Sequence, residues 1–278
     1  MAVGIEIKKP EQILVMRRAG LVVARTLAAL RDVARAGLTT GDLDRLARDL
    51  LAEQGATSSF LNYGAGFGVP PFPAVTCISV NDEIVHGIPG ERVLQPGDLV
   101  SVDFGAIVDG WHGYAAVSFV IGEPRPDDAQ LSEVTRQSMW QGIAAMRIGG
   151  RIGDISAAIE GYVRRQPRRY GVVREFTGHG IGSAMHQEPD VPNHGKRGRG
   201  PLLVQGMCLA IEPMLTLGGD STVTLDDDWT VATRDRSRAA HWENTVAITR
   251  NGLWVLTAED GGEAELTALG AKFGPLGD

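Results

Sequence analysis

The stretch "DLVSVDFGAIVDGWHGYAAVSFVIG", from Asp98 to Gly122, holds two apolar, β-branched runs on either side of an Asp-Gly pair. Asp109 and Gly110 are typical of a tight hairpin turn, so the stretch predicts two antiparallel strands. Asp103 lies inside the first run, where apolar neighbours on both sides predict two buried faces. An ionised carboxylate in such a strand is costly unless a cation or hydrogen bonds compensate it. The hairpin therefore predicts a sheet and gives the first sign of a functional site.

Helical and strand patterns alternate around this hairpin. Apolar residues spaced three and four apart predict helices, and β-branched runs predict strands. The helices are predicted at 10–34, 39–55, 129–147 and 152–165, and further strands at 172–177, 207–212 and 245–257. An Asn-Gly pair, Asn251 and Gly252, predicts a hairpin within the last strand region. Two helices, strands, two helices and strands predict an α+β chain with two similar halves.

The composition is that of a soluble globular protein. The chain has 278 residues, 43% hydrophobic and 22% charged, with a net charge of −7. This acidic balance argues against direct nucleic-acid binding, which needs a basic face. Cys77 and Cys208 both lie in apolar runs and are expected as buried free thiols. No apolar stretch approaches the roughly 18 residues of a membrane span. With no apolar leader at the N-terminus, we expect a cytoplasmic protein, and a monomer, since no long apolar stripe requires a partner.

Like Asp103, three further ionisable residues lie in apolar or glycine-rich stretches, where such side chains are uncommon. Glu212 lies in "LAIEP" and Glu243 in "HWENTVAI", both strand-like runs. His179 lies among glycines in "FTGHGIGSAMHQEPD", residues 176–190. A single acid of this kind could equally be a core residue whose charge is compensated by hydrogen bonds. Several together with a histidine form the ligand set of Mn, Fe, Co or Zn hydrolytic sites.

These motifs resemble those of type I methionine aminopeptidases. The similar segments are "CISVNDEIVHGIPG", "GDLVSVDFGAIVDGWHG", "TGHGIGSAMHQEP", "LAIEPM" and "AAHWENTVAIT". They occur in the family's order and at similar spacing from about Lys9 to Thr257. The resemblance implies the pita-bread fold, in which two pseudo-symmetric αβ halves surround a curved antiparallel sheet. We expect one domain over 1–278, with halves at 9–122 and 123–257 and a C-terminal tail at 258–278.

The resemblance also implies a role for each matching residue. Asp103 would bind one metal, His179 and Glu212 the other, and Glu243 would bridge both. His86 and His186 would contact the substrate, and Glu212 would help to move protons, so these three form the expected catalytic set. His241 is expected to support Glu243. The implied cofactor is a pair of divalent metals, Mn, Fe, Co or Zn.

The implied substrate is the N-terminus of a peptide or nascent chain, with methionine first and a small residue second. The residues expected to line the methionine pocket are Val69, Phe72, Cys77 and Trp229. An enzyme that acts on nascent chains is also expected near the ribosome.

One position departs from the family pattern. Tyr114 stands in "WHGYAAV", where the resemblance implies a second metal-bridging aspartate. Three remaining carboxylates carry one charge fewer than two divalent cations require, so a site with a single metal becomes an alternative. Three interpretations stay open. The protein is a methionine aminopeptidase with a weakened second metal site, an impaired homologue that binds partners, or a mononuclear enzyme with a different substrate.

Overall fold

The computed structural model of the chain describes residues 4–66 and 68–277, and helices alternate with strands as the sequence predicts. The helices of these residues are α1 Pro10–Val33, α2 Thr40–Glu53, α3 Pro126–Ala144, α4 Ile152–Arg164 and α5 Glu263–Ala268. The strands are β1 Thr57–Ser58, β2 Thr76–Val80, β3 Glu83–Val85, β4 Leu99–Val108, β5 Trp111–Val120, β6 Gly171–Val172, β7 Gly178–Gly180, β8 Gln187–Val191, β9 Cys208–Ile211, β10 Met214–Thr216, β11 Thr222–Thr224, β12 Val231–Thr233, β13 Ala239–His241, β14 Glu243–Ile248 and β15 Leu253–Val255.

The first two helices begin where the sequence supplies caps. Pro10 is the first residue of α1, and proline fits that position because its missing N–H is not needed there. Before α2, Asp42 N donates a hydrogen bond to Thr39 Oγ1 at 3.0 Å. Thr39 N in turn donates to Asp42 Oδ2 at 2.7 Å. This reciprocal pair satisfies two backbone donors that the helix itself leaves free.

Nine strands of the described residues form one antiparallel sheet around the predicted hairpin of β4 and β5. The turn residues Asp109 and Gly110 both have positive φ, 47° and 81°, as a type I′ hairpin turn requires. Along the sheet the strand order is β1-β4-β5-β14-β9-β7-β8, with β2 also paired to β4 and β15 to β14. The neighbours β5 and β14 come from opposite halves of the chain, so the two halves meet at this junction.

The alternation of side chains gives one face of the sheet to the helices. In β4, Val102 and Phe104 belong to the core cluster that contains residues of α1 and α2. In β9, Leu209 and Ile211 belong to a second cluster with residues of α3 and α4. Since successive strand residues point to opposite faces, Asp103 faces away from the helices. Each helix pair therefore buries its own half of the sheet, as the predicted class with two similar halves requires.

Close packing of α1 on the sheet depends on two glycines. A Cβ atom at Gly20 would lie 2.1 Å from the carbonyl oxygen of Leu256. A Cβ atom at Gly113, in β5, would lie 2.7 Å from the backbone nitrogen of Gly20. Because both distances are far below van der Waals contact, the helix can lie this close to Leu256 only with glycine at position 20, and this close to β5 only with glycine at position 113.

Two sequence expectations differ from the structure. The strand predicted at 172–177 is wrong for most of its length, because only Gly171 and Val172 pair there, with β10. The segment with His179 instead contains two strands that the sequence did not predict, β7 and β8. Residues 258–277 pack on the second half, since Leu266 of α5 is fully buried in its cluster. No helix in 4–66 or 68–277 is long and apolar enough to cross a membrane.

Candidate active site

The predicted site residues lie in a row across the face of the sheet that the helices leave free. Asp103 of β4 is directly opposite Ala116 of β5, and Ala116 is directly opposite Glu243 of β14. On the far side, His179 of β7 pairs with Ala210 of β9. Glu212 follows Ala210 by two positions, so both side chains point to the same face. Four segments, distant in sequence, thus place their polar side chains around one cavity.

His179, Glu212 and Glu243 form the group best suited to a cation. One potential ligand atom from each lies within 4.8 Å of the other two. His179 Nε2 is 3.3 Å from Glu212 Oε1. His179 Nδ1 is 2.9 Å from the carbonyl oxygen of Gly180 and can only donate to it. This fixes the proton on Nδ1 and leaves the Nε2 lone pair directed at the carboxylates, as in a metal-binding histidine. Asp103 lies outside this group and lines the same cavity.

The carboxylates are buried without the basic partners that would explain them as core ion pairs. Burial raises the pKa of Glu212 to about 8. Burial, opposed in part by His241 and reinforced by Glu212, raises the pKa of Asp103 to about 7. Burial and the two neighbouring acids also raise the pKa of Glu243. None of the ion pairs among the described residues joins these three acids to lysine or arginine. A bound cation would compensate this negative charge.

Two further histidines border the cavity. His186 Nδ1 is 2.8 Å from the hydroxyl oxygen of Tyr63, and its ring centroid is 4.3 Å from that of His179. His86 has φ of 60°, an uncommon conformation for a residue other than glycine. Gly87 holds this turn against β2, since Ile78 N donates to its carbonyl oxygen at 2.8 Å. Burial lowers the pKa of both His86 and His186 to about 4, so both imidazoles are neutral at pH 7.

Three of the four expected pocket residues line the cavity. They are Phe72, Cys77 and Trp229. Trp229 is held by a hydrogen bond from Nε1 to the carbonyl oxygen of Pro70 at 2.8 Å, and its ring lies edge-on to Phe72 at 5.3 Å. Val69 is not among the lining residues and is 37% exposed. The loop turns its side chain outward, so the cavity wall forms without it.

Tyr114 occupies the cavity with its ring packed and its hydroxyl unpaired. The ring lies 5.0 Å from that of Phe60, edge to face. Its cross-strand neighbour is Gly105, where a Cβ atom would come within 2.9 Å of the ring carbon Cε2. Thr245 Oγ1 accepts from Tyr114 N at 3.1 Å and donates to Tyr114 O at 2.9 Å, which fixes the strand. The hydroxyl oxygen is buried and has no hydrogen-bond partner. Burial, with smaller effects of Asp103 and Glu243, raises the pKa of the phenol well above its usual value.

The sequence predicted only a supporting role for His241 and did not identify several other residues of the cavity. His241 was expected to support Glu243, but its Nε2 lies 3.6 Å from Glu212 Oε2. His241 precedes Glu243 by two positions, and strand alternation could therefore have predicted that both side chains point to the same face. Tyr63 lies in a glycine-rich loop and carried no signal of its own. The other lining residues that the sequence did not identify are Phe60, Val85 and Met185.

Comparison with known proteins gives concordant results. Residues 15–250 match the model of metallopeptidase family M24. The methionine aminopeptidase 1 of Mycobacterium tuberculosis is 52% identical over 247 residues, which are 87% of this chain and 91% of that protein. The methionine aminopeptidase of Clostridium acetobutylicum is 50% identical over 252 residues, 90% of this chain and 98% of that protein.

A solved structure agrees over the same length. The crystal structure of methionine aminopeptidase from Thermotoga maritima has a TM-score of 0.87 at 39% identity, and the match covers 92% of this chain and 100% of that one. This likeness confirms the predicted pita-bread fold.

Proposed function

The chain belongs to metallopeptidase family M24, and we propose that it uses a divalent metal to remove the N-terminal methionine from peptides whose second residue is small. Family membership confirms the predicted enzyme class, a metal-dependent aminopeptidase. The observation that carries the residue-level proposal is the group of His179, Glu212 and Glu243. Its imidazole nitrogen and carboxylate oxygens suit Mn, Fe, Co or Zn.

The donor set fits a metal on two grounds. Glu243 Oε1 is buried without a hydrogen-bond partner, a costly arrangement that a bound cation would relieve. His179 already has the tautomer that a metal ligand needs. When bound, the metal supplies a Lewis acid for the scissile carbonyl and lowers the pKa of a water. Burial raises the pKa of Glu212 to about 8, and a bound cation would lower it again. The ionised Glu212 would then take a proton from the attacking water and return it to the leaving amine.

The two bordering histidines would act on the substrate carbonyl. As neutral imidazoles, His86 and His186 each offer one N–H donor. The hydrogen bond between Tyr63 and His186 Nδ1 orients the His186 ring and leaves its Nε2 without a role in that contact. A positioned donor stabilises the oxyanion that develops during amide hydrolysis.

The cavity walls support methionine as the side chain bound. Phe60, Phe72, Met185 and Trp229 give an apolar, partly aromatic lining. A thioether fits such a lining because sulfur makes favourable contacts with aromatic rings. We expect the peptide to enter from the side of His86 and His186, and a small second residue to pass between them. Nascent chains, the neighbourhood of the ribosome, a cytoplasmic location and a monomeric state stay predictions.

Metal-stripped protein reloaded with Mn, Fe, Co or Zn tests the proposal. Release of methionine from Met-Ala-Ser is expected with at least one metal, with much slower release from Leu-Ala-Ser and Met-Leu-Ser. His179→Ala should abolish activity at every metal concentration. His194→Ala, a histidine outside the cavity, serves as the matched control. Absence of methionine release with all four metals, in protein that still binds them, would instead favour the binding or regulatory interpretation.

A further inference from the structure

His186 lies at the end of an irregular turn, residues 181–187, which leads from β7 into β8. Backbone hydrogen bonds hold the start of this turn, where Ile181 pairs with β9 and Gly182 with β5. At its far end, Tyr63 holds the His186 ring through Nδ1. Since His186 can place a donor at the substrate carbonyl only if the turn is fixed, the support of the turn is part of the proposed function, on which this inference rests.

The chain segment ahead of α1, residues 5–9, lies against this turn. Ser183 donates to the two carboxylate oxygens of Glu6, from its backbone nitrogen at 3.1 Å and from its hydroxyl at 2.7 Å. Lys8 Nζ donates to Gln187 Oε1 at 3.1 Å and to the carbonyl oxygen of Glu6 at 3.0 Å. Gln187 Nε2 donates to Ser183 Oγ at 3.2 Å and closes the ring of contacts. These four side chains form the N-terminal clamp, which grips the turn on both sides of Met185.

The segment can lie this close because two glycines leave room for it. A Cβ atom at Gly182 would lie 2.2 Å from Glu6 Oε2 and 2.3 Å from Lys8 Cε. A Cβ atom at Gly206 would lie 2.6 Å from the carbonyl oxygen of Lys8. The carbonyl oxygen of Gly206 accepts a hydrogen bond from Lys8 N at 2.8 Å. The segment therefore has a specific seat, formed by the turn on one side and by the residues before β9 on the other.

Lys8 is the unusual member of the clamp, because its side chain is only 1% exposed. A buried ammonium group is costly unless hydrogen bonds and an opposite charge compensate it. Its nearest carboxylate oxygen is Glu6 Oε2, at 3.4 Å. Burial alone would raise the pKa of Glu6, but hydrogen bonds with Ser183 and Gln187 and the charge of Lys8 lower it to about 2. An apolar side chain would fill the same space at less cost, so the donors of Lys8 indicate a need to orient the turn.

We propose that Glu6 and Lys8 are positioning residues for His186, because they hold the turn of residues 181–187 in one conformation. Neither residue lines the cavity, so each acts through the turn. Tyr63 fixes the ring of His186, and the clamp fixes the backbone that carries it. A donor stabilises a developing oxyanion only at the right distance, and a misplacement of about 1 Å can cost about 100-fold in rate.

Hydrogen exchange of the metal-free protein tests the contact without turnover. Lys8→Met keeps an unbranched side chain of similar length and removes the donors. Amides of residues 181–187 should then exchange at least about 10-fold faster, as measured by mass spectrometry, and those of β4 should not change. Lys9→Met makes the same chemical change at an exposed neighbour and should leave both rates unaltered. Unchanged exchange of the turn in Lys8→Met would overturn the proposal.

Kinetics of the metal-loaded protein test the link to His186. Lys8→Met should lower kcat for Met-Ala-Ser about 10-fold and change KM and the metal affinity less than about 2-fold. If the effect passes through His186, the same substitution in a His186→Ala background should lower kcat less than about 2-fold further. Equal factors in both backgrounds, or a parallel loss of metal affinity, would show a general structural role and would overturn the proposal.

Glu6→Gln gives an independent test if Lys8→Met does not fold. Glu6 is partly exposed, so the loss of its charge should leave the fold intact and weaken only the bonds to Ser183. The exchange and kcat effects should have the same direction and smaller factors. Glu11→Gln, at an exposed position in the first turn of α1, is the matched control.

The two proposals fail in different ways. Protein whose turn exchanges faster in Lys8→Met but which cleaves no peptide would disprove the proposed function alone. Protein that cleaves Met-Ala-Ser with the same kcat in Lys8→Met and Glu6→Gln would disprove this inference alone.

Discussion

Removal of the Tyr114 hydroxyl should stabilise the metal-free protein. The oxygen is buried without a partner in a residue that is 3% exposed, and such a group costs about 1–3 kcal/mol. Tyr114→Phe deletes this one atom and keeps the ring contact with Phe60 at 5.0 Å. We expect the free energy of unfolding to rise by about 1 kcal/mol, or roughly 2–4 °C in melting temperature for a chain of this size.

Urea unfolding followed by circular dichroism, in the presence of a chelator, measures this change directly. Tyr170→Phe is the matched control, because Tyr170 is only partly buried. Its effect should stay within about 0.5 kcal/mol. A loss of stability of more than about 0.5 kcal/mol in Tyr114→Phe would refute the reasoning, since it would show that the hydroxyl has a favourable partner in the free protein.

Three other changes have defined outcomes. Gly20→Ala places a Cβ atom 2.1 Å from the carbonyl oxygen of Leu256. This overpacking should lower the free energy of unfolding in urea by about 2 kcal/mol or more. An unchanged free energy of unfolding would contradict the close approach of α1. Tyr63→Phe removes the hydrogen bond of 2.8 Å to His186. It should lower kcat for Met-Ala-Ser about 10-fold with little change in KM. An effect on KM alone would show that Tyr63 contributes to substrate binding and not to the chemical step. Burial raises the pKa of Asp103 to about 7 and that of Glu212 to about 8, so a metal must displace protons that these carboxyls hold at low pH. Metal affinity should therefore fall by at least about 10-fold from pH 7 to pH 6, with protons released in calorimetry; an affinity independent of pH would show that the acids are already ionised.

The long elements could be predicted because their signals are local. The hairpin of β4 and β5 follows from two β-branched runs and an Asp-Gly turn, and α2 follows from the capping pair of Thr39 and Asp42. Such features need only neighbours in sequence. The site residues inside these strands were recognisable for the same reason, since a lone acid such as Asp103 in an apolar run calls for compensation.

The short strands could not be predicted, because their partners define them. β7 is Gly178, His179 and Gly180, residues with no intrinsic strand preference. It is a strand because β8 and β9 supply hydrogen-bond partners on both sides. Strand propensity depends mainly on such context. The same limit applies to Tyr63, which reaches His186 across 123 positions of sequence.

Tyr114 and Gly105 are best understood as a pair. They face each other across β4 and β5, and a Cβ atom at Gly105 would meet both the tyrosine ring and Ser59 at 2.9 Å. The phenol ring of Tyr114 and the side chain of Ser59 both use the space that only glycine leaves at position 105. Tyr114 therefore brings a neutral phenol in place of one negative charge, and His179, Glu212 and Glu243 still offer ligand atoms within 4.8 Å of one another.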